Sequence, residues 1–196
     1  MKLDADVFDN INYELQEPKA GNILISDPFL PDPNFSRTVV LLTEHNEEGS
    51  LGFVLNRESD FKLSSIIDDI TDFDASVYVG GPVGLNQLFY IHGMGDVLQN
   101  SKKIIDGVHW GGDFDQLKFY IETKQVKPGD IRFFAGYSGW SPGQLEAEIK
   151  EKTWIVAPIE KEQIMKESED YWKEILSGLG NKFKVMSNFP EDPNLN

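Results

Sequence analysis

Two of the chain's three arginines, Arg37 and Arg57, flank a pair of strand-like runs in the first third of the sequence. A guanidinium is planar and always charged, so it suits bidentate binding of a carboxylate or phosphate. Glu44 and His45 lie in the same segment, and a carboxylate beside an imidazole can supply an acid, a base or a metal ligand. The segment is therefore a candidate anion site. The alternative is that each arginine braces a loop by pairing with an acidic neighbour.

Metal and thiol chemistry have little support in the sequence. Glu44 and His45 are neighbours on a predicted strand, so their side chains point to opposite faces. His45, His92 and His109 never occur at an H-x-x-x-H spacing, and the chain contains no cysteine. We therefore expect no metal centre, disulfide or cysteine nucleophile.

Two glycine-containing motifs resemble functional loops without matching them. Residues 80–84, Gly-Gly-Pro-Val-Gly, follow a predicted strand but fit neither G-x-x-x-x-G-K-[ST] nor G-x-G-x-x-G, so a tight turn is predicted and no cofactor is expected. Residues 136–140, Gly-Tyr-Ser-Gly-Trp, resemble a G-x-S-x-G elbow, but Trp140 occupies the last glycine's position, which argues against Ser138 as a nucleophile. Tyr137 and Trp140 are instead either an aromatic surface for a partner or part of the core.

Composition limits the classes of partner. With 196 residues and 40% apolar residues, the chain is long enough for one domain with a substantial core. Its formal net charge of −15 disfavours direct contact with nucleic acid. The acidic start and the lack of a long apolar run favour a cytoplasmic protein without membrane contact. The oligomeric state stays open.

The pattern of apolar residues predicts strands and helices in irregular alternation. The predicted strands are residues 22–26, 37–44, 49–56, 77–79, 88–92, 103–110, 131–137 and 154–157, with 37–44 and 49–56 as an antiparallel hairpin. The predicted helices are residues 62–70, a helix capped by Asp113, a helix starting at Ser141 with Gln144 completing a capping box, and residues 160–177. We expect a single domain over 1–196, with an N-terminal arm or helix over 1–20 and a partly ordered tail over 181–196.

Six blocks of sequence together resemble one bacterial family, the AlgH/YqgE family, over about residues 20–178. These blocks are residues 21–30, 35–45, 52–57, 80–83, 88–92 and 136–146. The resemblance implies a single α+β domain with a bifurcated, mostly antiparallel or mixed sheet that forms a pseudo-barrel with flanking helices. It implies no established biochemical function. The family is sometimes labelled a transcriptional regulator, but the charge of −15 and the lack of a basic reading helix argue against direct DNA contact.

Two functional hypotheses follow, with a pure scaffold or oligomer-forming role as a third. The leading one is a non-enzymatic binding or regulatory module, in which residues 27–57 and 137–146 form one surface for a protein partner or small ligand. The rival is a hydrolase or transferase acting on a small anionic substrate held by Arg37 and Arg57, with Glu44 or His45 as acid or base. The candidate binding residues are Arg37, Glu44, His45, Asn56, Arg57, Tyr137, Trp140 and Gln144.

Overall fold

A computed structural model describes residues 16–190, except for the side chain of Asp96. It is a mixed α+β domain, as expected. The ten strands are β1 (Asn22–Ser26), β2 (Val39–Asn46), β3 (Gly49–Val54), β4 (Glu58–Lys62), β5 (Ser76–Val79), β6 (Val83–His92), β7 (Lys102–Ile105), β8 (Val108–Trp110), β9 (Ile131–Trp140) and β10 (Trp154–Pro158). Residues 16–190 contain five α-helices, α1 (Phe114–Glu122), α2 (Gln144–Lys150), α3 (Lys161–Ile164), α4 (Tyr171–Gly178) and α5 (Asn181–Met186). Across residues 16–190, no helix is both long and apolar enough to cross a membrane.

The sheet divides at β9. Its main path runs β10-β1-β2-β3-β9-β6-β8-β7, with antiparallel pairing throughout. The C-terminal end of β9 pairs with β3, whereas its middle pairs in parallel with β5, which in turn pairs with β4. The two ends of the path, β10 and β7, are not hydrogen-bonded to each other in the described chain. The sheet is therefore bifurcated and open.

Both faces of the first strands are buried, which explains their continuous apolar sequence. Ile23 and Leu41 point into the main core, whereas their neighbours Leu24 and Val40 point into a second cluster beneath α2. A third cluster lies between α1 and the strands β5 and β9. The predicted antiparallel hairpin of β2 and β3 is confirmed by the register, in which Val40 lies opposite Val54.

The segment predicted as one strand over 103–110 is a hairpin of β7 and β8. Ile105 pairs with Val108 around a two-residue Asp106-Gly107 turn, and Gly107 has φ +74°. Asp-Gly is a favoured two-residue hairpin turn because glycine adopts positive φ without steric cost. The signal for the hairpin was thus present in the sequence.

The prediction of a helix over residues 62–70 is wrong. Only Leu63–Ser65 forms a helical turn, of the 3-10 type, preceded by β4. The Ser65 hydroxyl donates to Lys62 O, and such local bonds compete with an α-helix. Leu63 and Ile70 are buried in the cluster beneath α1, whereas Ile66 is exposed. The apolar spacing therefore reflects separate anchors.

The helix predicted over 160–177 is split into α3 and α4. Arg132 donates through Nη1 to Ile164 O and Lys166 O, at 2.8 and 3.3 Å. A continuous helix would give these carbonyls to the N–H groups of residues 168 and 170. A side chain from β9 therefore takes the acceptors that would have extended the helix, which the local sequence does not show.

The predictions for the two ends of the chain can be compared with the structure to different extents. Most of the predicted arm or helix over 1–20 lies outside the described residues. The tail predicted as partly ordered is, over residues 181–190, a helix and a docked turn. Met186 is buried in the main core, and the Phe189 ring stacks on Phe29 with centroids 5.5 Å apart.

The predicted N-cap of helix α2 is shifted by two residues. The N-cap is Gly143 and not Ser141, although Gln144 Oε1 does accept from Ser141 N.

Candidate functional site

Arg37, Asn56 and Arg57 lie together at the open end of the β2–β3 hairpin. Asn56 accepts from Val39 N at 2.9 Å and donates to Arg37 O at 2.8 Å. Arg37 has φ 51°, an uncommon value for a residue with a side chain. Its guanidinium donates to Phe189 O at 2.6 Å and lies over the Trp172 ring, with Cζ 5.0 Å from the centroid. Arg57 donates to Pro33 O at 2.9 Å, as a loop brace.

Glu44 and His45 lie at the opposite end of the same hairpin. His45 Nδ1 is 2.8 Å from Ser50 Oγ, and its Nε2 is 3.8 Å from Glu146. Glu44 points to the other face and accepts from Lys102 Nζ at 2.6 Å. At about 3.3 Å per residue, the strand separates these groups from Arg37 by on the order of 20 Å. The hydrolase hypothesis built on Arg37, Arg57, Glu44 and His45 therefore lacks a shared cleft.

The aromatic segment at the C-terminal end of β9 is largely structural. Trp140 is 6% exposed, packs against Phe35, and donates from Nε1 to Glu148 at 2.9 Å. Gln144 donates to the other oxygen of Glu148 at 2.9 Å. Tyr137 is half-buried and makes an edge-to-face contact with Phe89. The segments 27–57 and 137–146 do touch, at His45 and Glu146 and where β3 pairs with β9, but these contacts form no cleft with Arg37.

The glycines after β5 allow two backbones to approach each other. A Cβ on Gly80 would lie 2.4 Å from Gly136 O, and one on Gly81 would lie 2.3 Å from the Tyr137 carbonyl. Gly80 N donates to Ala135 O on β9, and β6 begins at Val83, so these glycines form a close-packed connection between β5 and β6. Among residues 16–190, no cluster of three or more His, Cys, Asp or Glu side chains is placed to hold a metal ion.

One concave surface is a groove between the sheet and the segment that joins α3 to α4. Three neighbouring cavities with shared wall residues form this helix–sheet groove. The central cavity has about 480 Å³ and is lined by Leu55, Asn56, Glu58, Tyr78, Arg132, Lys166, Glu167, Ser168, Glu169 and Tyr171. A second cavity of about 320 Å³ shares Asn56 and Glu169 with it and reaches Arg37. A third, of about 420 Å³, shares Tyr78, Arg132 and Glu167. Of the eight predicted residues, Arg37 and Asn56 line the groove.

Arg132 forms the wall between the central and third cavities. On β9, Ile131 and Phe133 point into the cluster beneath α1, so Arg132 and Phe134 point to the opposite face, beside Tyr78 on β5. The guanidinium is tied to three backbone carbonyls, those of Leu55, Ile164 and Lys166. Its Nε has no hydrogen-bond partner among the described residues. The side chain is 3% exposed.

Arg132 forms no direct ion pair within the described chain. None of the ion pairs within 4.0 Å among residues 16–190 includes Arg132. A buried charge is normally paired, because removing it from water costs several kcal/mol. Three carbonyls supply hydrogen bonds but no negative charge. A desolvated cation, buried together with its unpaired Nε, thus lines the groove.

Two phenols stand beside this guanidinium. Burial raises the pKa of Tyr78 to about 12, an effect opposed by Arg132 and reinforced by the nearby carboxylates of Glu167 and Glu58. Burial also raises the pKa of Tyr171, whose hydroxyl donates to Gln163 O at 2.9 Å. Both phenols therefore stay protonated at neutral pH.

Sequence reasoning missed Arg132, Tyr78, Glu167 and Tyr171. One signal was available: Arg132 is the single charged residue in the otherwise uncharged run 131–137. A charge in the middle of a strand with apolar neighbours indicates a buried, functionally or structurally engaged group. The other three residues carry no such local mark.

Comparison with known proteins gives the family. A family described as AlgH-like matches residues 23–184. The chain belongs to this AlgH-like family. A UPF0301 protein of Parabacteroides distasonis is 44% identical over 182 residues, covering 91% of this chain and 92% of the relative. A UPF0301 protein of Chlorobaculum tepidum is 41% identical over 184 residues, covering 93% and 98%.

Two solved structures resemble the AlgH-like chain described here. The solution structure of the AlgH protein from Pseudomonas aeruginosa has a TM-score of 0.69 at 28% identity, and the match covers 87% of this chain and 94% of that one. The crystal structure of protein DIP2367 from Corynebacterium diphtheriae has a TM-score of 0.78 at 24% identity, covering 95% and 100%. The latter similarity establishes the fold.

Proposed function

We propose that this AlgH-like protein is a non-enzymatic binding module and that the helix–sheet groove is its ligand surface. The observation that carries the proposal is the continuity of the three cavities, which places the uncompensated Arg132 at the centre of a concave surface. A volume of about 480 Å³ for the central cavity lies in the range typical of small-molecule sites.

The hydroxyl groups of the groove support binding over catalysis. Tyr171 donates to Gln163 O, and Ser168 donates to Glu174 at 2.9 Å. Asn56 uses its amide on the backbone of Val39 and Arg37. A nucleophile needs an adjacent general base, and the carboxylate bonded to the Ser168 hydroxyl is a weak base, because the hydrogen bonds from Lys166 and Ser168 lower the pKa of Glu174. A role in transcription would then pass through a bound partner or ligand, since the net charge of −15 disfavours DNA.

The test is retention of small molecules by two matched variants. Glu58→Trp places a bulky ring on the wall of the central cavity, whereas Glu48→Trp makes the same change at the exposed β2–β3 turn. Each purified protein is equilibrated with a defined metabolite library, and retained compounds are identified by mass spectrometry. We expect compounds that are retained by wild type and Glu48→Trp and lost in Glu58→Trp. Identical retention by all three proteins, or no retention at all, contradicts the proposal.

A further inference from the structure

The charged groups around the central cavity are of both signs, and they are segregated. Arg132 forms the floor and is 3% exposed, while Glu58, Glu167 and Glu169 are exposed on the walls. Lys166 is the other basic residue in the lining, and its ammonium is bound to Glu174 Oε2 at 2.6 Å. The Lys166 ammonium therefore does not neutralise the carboxylates of the cavity wall.

The three wall carboxylates have no basic partner. Glu58, Glu167 and Glu169 take part in none of the ion pairs within 4.0 Å among residues 16–190. Glu167 lies close enough to Tyr78 to raise the pKa of its hydroxyl, and this contact adds no positive charge. The cavity thus combines one unpaired buried cation with three unpaired carboxylates.

This arrangement disfavours ligands with a single charge. A simple anion would approach Arg132 past three carboxylates, and like charges repel. A simple cation would meet those carboxylates but leave the guanidinium uncompensated and add repulsion at the floor. A ligand with an anionic and a cationic end satisfies both, because its carboxylate can lie beside the guanidinium that lines the cavity while its ammonium faces the wall carboxylates.

We infer that the central cavity binds a small zwitterion of the α-amino acid class, with its carboxylate toward Arg132 and its ammonium toward Glu58, Glu167 and Glu169. The inference rests on the proposed function, since it names the ligand class of the same groove. The cavity volume of about 480 Å³ accommodates one free amino acid with its side chain.

The test measures the midpoint of thermal unfolding of the full chain with three kinds of probe at equal concentration. These are each protein amino acid, the corresponding amine without the carboxylate, and the corresponding acid without the amino group. A ligand that binds only the folded state raises the midpoint. We expect at least one amino acid to raise it and neither of its two single-charge analogues to do so.

Amino acids also stabilise proteins as excluded osmolytes, so the shift must depend on the cavity. It should be lost in Glu58→Trp and kept in Glu48→Trp. In calorimetric titration of the same amino acid, Glu58→Gln and Glu167→Gln should each weaken affinity by about tenfold, the loss expected for one charge-assisted bond. Glu48→Gln should bind like wild type.

Several results overturn the inference. If the amine alone binds as well as the amino acid, the cavity is a cation site; if the acid alone does, it is an anion site. Absence of any shift with every amino acid also overturns it. The proposed function is separable, because retention of non-zwitterionic compounds that Glu58→Trp abolishes would uphold the groove as a binding surface while rejecting the zwitterion.

Discussion

The guanidinium of Arg132 lies over the ring of Tyr78, with Cζ 4.2 Å from the ring centroid. This contact joins β9 to β5 on the face that carries the groove, and the ring replaces part of the hydration that the buried cation has lost. The remaining interactions of the guanidinium are with three backbone carbonyls of two segments, residue 55 and residues 164–166. Arg132 therefore holds the hairpin end, the connection after α3 and the sheet in one arrangement.

Replacing Arg132 with methionine should lower the free energy of unfolding by about 3 kcal/mol. The variant leaves the carbonyls of Leu55, Ile164 and Lys166 without their donor, and buried unsatisfied acceptors cost about 1–3 kcal/mol each before local relaxation. Urea unfolding followed by circular dichroism gives the value. Arg57→Met, which removes one bond to Pro33 O near the surface, is the control and should cost less than about 1 kcal/mol. Equal costs for both variants would contradict the bracing role of Arg132.

The sheet was predictable from sequence where strands are buried on both faces. Runs such as Ile23–Ile25 and Val39–Leu42 contain almost only β-branched and aliphatic residues, because adjacent side chains enter different core clusters. The cap at Asp113 was also predictable, and its side chain accepts from Gln116 N as expected. These features are set by residues close together in the chain.

The groove was not predictable, because residues far apart in the chain form its walls. Its walls come from the end of β3, from β4, β5 and β9, and from the connection between α3 and α4, and Arg132 bonds to Leu55 across 77 residues. No local pattern encodes such a meeting. The same long-range contacts broke the helix predicted over 160–177, since tertiary bonds outweigh a weak helix propensity. Arg37 was predicted as a site residue from its type, but its place in the groove depends on docking of residues 187–189.

Glu148 should prove important for stability because one of its oxygens serves two buried indoles. Oε2 accepts from Trp140 Nε1 at 2.9 Å and from Trp154 Nε1 at 2.8 Å. Glu148→Leu leaves both N–H groups unpaired and should cost about 2–4 kcal/mol. Glu148→Gln keeps one oxygen for the indoles and should cost about 1 kcal/mol. Urea unfolding followed by tryptophan fluorescence measures the difference in free energy of unfolding. An unchanged free energy of unfolding in Glu148→Leu would contradict the prediction and show that solvent hydrogen-bonds the two indoles.

Removing residues 181–190 should destabilise the domain by at least about 2 kcal/mol. The truncation exposes the surface that Met186 covers, and burial of a large apolar side chain contributes about 1.5–3 kcal/mol. It also removes the ring of Phe189 from Phe29 and the carbonyl that accepts from Arg37. The measurement compares thermal unfolding of a chain ending at Gly180 with one ending at Pro190. Equal midpoints would mean that this segment is as loosely held as the sequence suggested.

His92 should make the protein less stable as the pH falls through the mildly acidic range. The imidazole is fully buried, lies opposite His109 with ring centroids 5.8 Å apart, and is 3.0 Å from Gly111 O through Nε2. Its Nδ1 accepts from Met94 N at 3.3 Å, so the ring is neutral with its proton on Nε2. Protonating Nδ1 would break that bond and place a charge in the core. Burial accordingly lowers the pKa of His92 below 6.5, opposed by the Gly111 carbonyl and assisted by His109.

Because the folded state binds this proton less readily than the unfolded state, the contribution of His92 is fully present above pH 6.5 and is lost as the pH falls from there toward the lowered pKa. One proton gives a slope of at most about 1.4 kcal/mol per pH unit. Urea unfolding of wild type and His92→Gln at a series of pH values isolates this slope, since carboxylates that titrate in both proteins cancel. We expect the wild-type curve to fall more steeply than that of the variant just below pH 6.5. Parallel curves would show that His92 is protonated without penalty, and that the core around it rearranges to admit a charge.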